Sequence, residues 1–383
     1  RFSGPFIKYE RVRRLFPLIF HRSIAPASLL FFCLSATYLV HAQSDIADPV
    51  INFLRQNPTR SALYLVRNDT VLVSARPNQR MPLASAVKTI IAIEFAQQVA
   101  AGKIDPTERI SLVDLDAYYL PNTDGNAHPN WKEWAKQHNL VNNETVPLLE
   151  VAKGMIQFSS NANTEYLMDL LGLKAINANL KTLNLPNHDP IYPIVSALFL
   201  YSIPPADSTE TIRATTKLST KAYIARCQAI HLRLKQDGDG SFKRAFRFPA
   251  MALQKVWSDR LPASTVLEYA SVMQKINTRT YFSPAVQIVL NSIMEWPFLV
   301  NPGNKNVFTH LGMKGGSTAF VLTNAFYAET PAGNRVAAAV FLNNLTDAEF
   351  GMLSQHLNTF TQRCIGKTSS AKLMSALTQN RPD

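Results

Sequence analysis

Ser85-Ala86-Val87-Lys88 sets a hydroxyl and an amine three residues apart, Ser159-Ser160-Asn161 adds a second hydroxyl with an amide, and Lys314-Gly315-Gly316-Ser317 adds a second amine beside two glycines. The chemistry these residue types can do is nucleophilic. A serine hydroxyl is a poor nucleophile until a nearby base takes its proton. A lysine is such a base only when neutral, a state that burial and a second cation such as Lys314 favour. At a helix start, Ser85 and Lys88 share one face, and the helix N-terminus points backbone N–H groups at the oxyanion that forms on the attacked carbon. Glycine in a strand lets backbone approach a ligand closely. Each motif alone is weak, because an S-x-x-K tetrapeptide arises by chance about once or twice in a chain of this length. Ser369-Ser370-Ala371-Lys372 is one such copy, with nothing after it. The order of the three motifs is the signal.

The surrounding pattern supplies elements to hold them. A short helix is expected over residues 46–55, then two strands, Ala62–Val66 and Thr70–Ala75, around the turn residues Asn68-Asp69. Val87, Ile91, Phe95 and Val99 recur every four residues up to Gly102, an amphipathic helix that begins at the first motif and ends on a glycine. Leu120–Asn130 reads as a loop rich in Pro, Asn, Asp and Gly. Helices follow at about 146–157, 163–171, 191–200, 212–234, 264–276 and 284–294. Strands return at His310–Ala319, Val321–Glu329 and Val336–Leu342, with a turn at Pro331–Asn334 and a closing helix over 347–362. Two strands early and three late imply one sheet built from both chain ends, with helices inserted between.

The ordered triple resembles the S-x-x-K, S-D-N and K-T-G set of the penicillin-recognising serine hydrolases, the class A β-lactamases and penicillin-binding proteins. The resemblance spans residues 45–365 and is weakest in the helical stretch between the second and third motifs. It implies an α/β class chain with a β-lactamase-like fold, an antiparallel five-stranded sheet flanked by helices with an inserted all-α subdomain. On that reading residues 1–42 are a leader, 43–365 the hydrolase domain and 366–383 a tail. The α/β lobe takes about 45–105 and 295–365, and the helical lobe about 106–294. The resemblance also implies roles. Ser85 forms the acyl-enzyme, Lys88 is its base, Ser159 relays a proton to the leaving group, and Lys314 raises the potential around Ser159. Asn161 holds the substrate amide and the catalytic lysine, and the N–H of Ser317 joins that of Ser85 in the oxyanion hole, beside Gly316.

Two departures affect packing and binding in turn. Ser160 stands where the family most often has Asp, and Gly315 replaces a hydroxyl residue that helps bind a substrate carboxylate, for which Ser317 could substitute. A third affects turnover. Class A enzymes carry, between the second and third motifs, a glutamate that activates the deacylating water. Between Leu173 and Tyr201 this chain has no glutamate, and its only acid is Asp189, in Asn187-His188-Asp189-Pro190. His188 or Asp189 could serve as that base, although Asp-Pro turn chemistry alone accounts for the tetrapeptide. His128, in Asn126-Ala127-His128-Pro129, is read as structural.

Composition narrows the setting. The chain has 383 residues, 46% of them hydrophobic, and a formal net charge of +12. Arg11, Arg13, Arg14 and Arg22 precede the apolar run Leu29–Leu34, and small residues end at Ala42, the pattern of a cleaved secretory signal or an uncleaved anchor. An exported, periplasmic or secreted protein is therefore expected. Arg213–Arg247 carries nine basic residues against Asp237 and Asp239, a face that is either solvated or set to meet an anionic envelope polymer. No aromatic-basic interleaving points to nucleic acid. Cys227 and Cys364 are either bridged or two buried thiols. No Cys/His spacing suggests a metal, and the chemistry needs no cofactor. The expected activity is that of an exported serine hydrolase of the β-lactamase/DD-peptidase type, acting on a β-lactam, a D-alanyl peptide or a small ester, and not efficient as a class A β-lactamase. The alternative is a non-catalytic penicillin-binding or sensing envelope protein, which turnover would distinguish.

Overall fold

Residues 48–202 and 208–366 are described by a computed structural model of the protein, so the expected leader, Cys33, the Ser369–Lys372 copy and the tail lie outside the described residues. Strands β1 (Ser61–Arg67) and β2 (Thr70–Ala75) form the first hairpin, with Asn68 and Asp69 in the left-handed region at its turn. Strands β3 (His310–Ser317), β4 (Leu322–Glu329) and β5 (Arg335–Leu342) complete one antiparallel sheet of order β2-β1-β5-β4-β3. The two chain ends do meet in one sheet, as the strand count required. Its central strand β5 reads Arg-Val-Ala-Ala-Ala-Val-Phe-Leu and is buried from Val336 to Leu342. An apolar run without alternation is what a strand covered on both faces needs.

Helix α1 (Pro49–Gln56) packs on β1, and the longer helices are numbered onward in chain order. These are α2 (Lys88–Ala100), α3 (Ala127–Gln137), α4 (Leu148–Gln157), α5 (Asn161–Leu171), α6 (Thr220–Lys235), α7 (Val266–Thr278), α8 (Pro284–Met294) and α9 (Asp347–Ile365). The Thr346 and Glu349 capping box starts α9, which packs with α1 and against β4 and β5. Helix α7 packs on β5, β4 and β1, and Asn277 Nδ2 donates to the carbonyls of Ala328 and Val336, each at 3.1 Å. The sheet lobe thus takes in α7, which the sequence reading assigned to the helical lobe.

Four further differences follow. Helix α3 begins inside the expected loop, because Pro129 falls in its first turn, where a missing N–H costs nothing. The expected 191–200 helix is only a 3-10 turn, Ser196–Leu198, followed by Phe199–Ser202, since Glu165 captures the N–H groups of Val195 and Ser196. The expected 212–234 helix is two, broken where Ser219 caps α6 by accepting from Ala222 N. Helices Leu173–Thr182 and Met251–Asp259 were not anticipated. Cys227 and Cys364 are both free and buried. No described helix is long and apolar enough to cross a membrane.

Candidate active site

Ser85 lies in a 3-10 turn, Ala84–Val87, that runs directly into α2. Ala84 before it has φ +45°, a left-handed conformation that a non-glycine residue keeps only where its surroundings enforce it. They do so here. Ala86 N donates to Leu83 O at 3.1 Å, Leu83 N to Pro262 O at 3.0 Å, and Thr323 Oγ1, from β4, to Leu83 O at 2.9 Å. Strand β3 passes alongside so closely that a Cβ on Gly316 would sit 2.5 Å from Ser85 N, 2.7 Å from Ala86 N and 2.7 Å from Leu83 O. All three are backbone atoms, so Gly316 is required by contact. Ser317 follows at the exposed end of the strand, opposite Leu322.

The side chain of Lys88 is fully buried at the start of α2, whose residues are buried as far as Ala96. Its Nζ donates to Ser159 O at 2.7 Å, Asn161 Oδ1 at 2.8 Å and Ser159 Oγ at 3.2 Å. Ser159 takes φ +66° at the end of α4, which turns its carbonyl and hydroxyl toward the amine. From β3, the Nζ of Lys314 donates to the same Ser159 Oγ at 3.0 Å and to Gly315 O at 2.7 Å. The three motifs therefore meet at one hydroxyl. Lys88 bonds to Ser159 and Asn161 and makes no hydrogen bond to Ser85, one turn away on the same segment.

Burial drives the electrostatics. It pushes Lys88 from the ordinary lysine value down to about 7, against an opposing pull from Asp124 and Glu165. Lys314 is pushed well below the ordinary range by burial and then by Lys88 itself. A hydroxyl between two amines, at least one of them readily neutral, can accept a proton from one side and give one to the other.

A second layer fixes this line. Ser160, buried, caps α5 and faces His128 Nδ1 at 3.0 Å, while His128 Nε2 lies 2.8 Å from Asp116 Oδ1 and Lys132 pairs with the same carboxylate. His128 thus has the structural place expected of it. Asn161 Nδ2 donates to Thr123 O at 3.4 Å, tying the turn to the loop before α3. Two acids that the motifs did not indicate stand close enough to act on Lys88: Asp124 in that loop, and the fully buried Glu165 on α5. Glu165 Oε1 accepts from Val195 N and Ser196 N, and Oε2 from Ser196 Oγ and His231 Nδ1. No local sequence signal set it apart from any other mid-helix glutamate.

His188 and Asp189 are not part of this cluster. Asp189 pairs with Arg80, its N donates to Ala263 O, and its Oδ2 accepts from Ala263 N, extending the small strand pair of Met81–Pro82 with Ala263–Ser264. His188 Nδ1 faces the Asp189 carbonyl and so carries the proton, leaving Nε2 to accept from the Tyr269 hydroxyl at 3.1 Å. Burial lowers its pKa, and its basic nitrogen is occupied. The stretch expected to supply a water-activating base is instead held by backbone pairing.

The basic segment is partly used internally: Lys235 pairs with Asp169, Lys243 donates to Asp116 O, and Arg233 stacks over the Phe242 ring. Lys217, Lys221, Arg226 and Arg247 remain exposed. A cleft of about 540 Å³ is lined by Tyr119, Pro121, His128, Lys132 and Arg244 among others, and contains no residue of the three motifs. Among the described residues no group of His, Cys, Asp or Glu could hold a metal ion.

Comparison with known proteins adds the family. A family model described as the beta-lactamase enzyme family matches residues 45–368. Similar solved structures include that of PBP-A, 17% identical with a TM-score of 0.48 over 82% of this chain and 94% of that one. A beta-lactamase from Sphaerobacter thermophilus DSM 20745 is 18% identical, with a TM-score of 0.49 over 84% and 93% of the two chains. One from Chitinophaga pinensis DSM 2588 is 14% identical, with a TM-score of 0.47 over 81% and 97%. No curated protein matches this chain.

Proposed function

We propose, from the premise that this chain belongs to the β-lactamase enzyme family, that it is a serine hydrolase that acylates Ser85 with an amide or ester substrate. The observation that carries the reading is Lys88: buried, held by Ser159 and Asn161, and pushed down to about 7 so that it is available as a neutral amine near neutral pH. In the first half-reaction the Ser85 hydroxyl gives its proton to Lys88 Nζ while Oγ bonds to the substrate carbonyl carbon. The oxyanion is received by the N–H groups of Ser85 and Ser317. The carbonyl re-forms, the bond to the leaving nitrogen or oxygen breaks, and that atom takes a proton from Ser159 Oγ, which is resupplied from Lys88. Lys314 stabilises negative charge along this line, and Asn161 with Gly316 borders the substrate. Water then cleaves the ester on Ser85.

The substrate class favoured is a D-alanyl peptide or a small ester over a β-lactam. A β-lactam acyl group is rigid and bulky and needs a well-aimed, activated water. Here Asp189 and His188 are engaged elsewhere, and Glu165 has both oxygens filled by four donors. The same observation leaves room for the second reading, a penicillin-binding or sensing protein that acylates and turns over little. Labelling with a fluorescent penicillin tests the nucleophile: Ser85→Ala should take no label and show no esterase activity, while Ser369→Ala keeps both. Label on the Ser85→Ala protein would overturn the assignment, and repeated product release separates enzyme from sensor.

A further inference from the structure

Asp124 stands outside the three motifs, yet its carboxylate grips the second of them. Its Oδ2 accepts from the backbone N–H of His128 at 3.1 Å and from that of Asn161 at 3.4 Å, while the preceding carbonyl, Thr123 O, receives Asn161 Nδ2 at 3.4 Å. Its Oδ1 is buried and reached by no donor among the described residues. Few buried carboxylate oxygens are left so. We propose that Asp124 is a positioning residue for the acylation step, clamping the Ser159–Asn161 turn through Oδ2 and holding a negative charge opposite the Lys88 ammonium. The inference rests on Lys88 being the base for Ser85.

The charges around the pair identify Asp124 as the one that Lys88 feels most. Facing Lys88 are Asp124 from the loop, Glu165 from α5 and Lys314 from β3. Asp124 in turn faces Lys88, His128 at the start of α3, and Tyr119 of its own loop. Glu165 has its charge spread over four donors. Asp124 has donors on one oxygen only; burial pushes its pKa up, and the N–H groups of Asn161 and His128 with the charge of Lys88 pull the other way. An opposite charge favours the ammonium form, so Asp124 raises the pH below which Lys88 stops acting as a base.

Asp124→Asn separates charge from clamp. The amide oxygen of asparagine can still accept from the N–H groups of His128 and Asn161, and its NH2 group takes the place of Oδ1. The Lys88 titration is followed directly by NMR of lysine labelled at Cε, and the acylation rate is followed against pH with a fluorescent penicillin. In Asp124→Asn the Lys88 titration and the acid limb of acylation should both fall by about one pH unit, because the ammonium has lost its counter-charge. Asp124→Ala should shift them likewise and also lose about tenfold in the plateau rate of acylation above pH 7 as the turn loosens. Thermal melts of both variants report whether the fold is intact, and the near-isosteric Asn variant carries the test if the Ala variant does not fold. A Lys88 titration unmoved in Asp124→Asn, or moved upward, overturns the proposal, as does an Asp124→Ala protein whose plateau rate of acylation above pH 7 is parental. If the NMR shift appears but the parent takes no label on Ser85, it is the hydrolase reading that fails and not the Asp124–Lys88 coupling.

Discussion

Gly316→Ala is the perturbation whose size can be read most directly from the geometry. The added methyl would lie 2.5 Å from Ser85 N, where ordinary contact begins at 3.4 Å, so strand and turn must separate by about 0.9 Å. Neither side yields easily. The turn is held by Thr323 Oγ1 at 2.9 Å from Leu83 O, and β3 is paired to β4 along its whole length. A shift of about 1 Å in a reacting group costs about a hundredfold in rate, or about 2.7 kcal/mol of barrier. Overpacking also costs about 1–3 kcal/mol of stability. We therefore expect acylation of Gly316→Ala by a fluorescent penicillin to be slowed about a hundredfold at a temperature where its melting curve shows it folded. Gly333→Ala is the control. It lies in the turn at the far end of β4, at φ +76°, with nothing within 4 Å of the added methyl, and should lose stability through backbone strain while acylating normally. Acylation of Gly316→Ala at the parental rate would refute the packing argument, and with it the claim that β3 and the Ser85 turn form one rigid site.

Four further outcomes are expected. Because Lys88 works as a base only when neutral and its pKa is pushed down to about 7 from 10.5, acylation should fall as pH drops through about 7. The unfolded chain holds this proton up to about 10.5, so the stability of the parent relative to Lys88→Met should rise between pH 7 and 10.5 and stay level below pH 7, as urea unfolding at a series of pH values would show. Thioesters or activated esters with small acyl groups should be turned over faster than benzylpenicillin, measured as steady-state product release; equal turnover would mean that an unidentified group activates water well. His188→Ala and Asp189→Ala should leave the breakdown rate of the acyl-enzyme unchanged when it is chased by mass, whereas a stalled intermediate in either would restore the role that the loop's composition first suggested.

What the sequence disclosed and what it withheld divide along the reach of the interactions. The strands, α2 and the meeting of both chain ends in one sheet follow from local periodicity, and the five strand readings of the hairpin and β3–β5 lie within two residues of the structure at each end. Ser85, Lys88, Ser159, Asn161 and Lys314 were singled out by spacing and order; of these, Lys88 and Lys314 both reach Ser159 Oγ, and Asn161 joins them through Lys88. Asp124 and Glu165 were not, since nothing local distinguishes a loop aspartate or a mid-helix glutamate until the chain folds them beside Lys88. The apolar run over 191–200 looked helical, but Glu165, thirty residues earlier, takes the N–H groups of Val195 and Ser196. His188 and Asp189 drew notice as the only histidine and the only acid of their stretch, and only their pairing with Ala263, Arg80 and Tyr269 reveals that they are occupied. Helix α7 was placed in the wrong lobe because an amphipathic pattern tells which face is buried and not what buries it.

The central claim is that Ser85 is the acylated nucleophile, and intact-mass analysis after exposure to benzylpenicillin, followed by peptide mapping, tests it most directly. One adduct of the full mass of the antibiotic on the peptide carrying Ser85 is the expected result, absent from Lys88→Met at neutral pH and long-lived in the parent. An adduct on any other residue, or none on a folded protein over hours of exposure, would contradict the account.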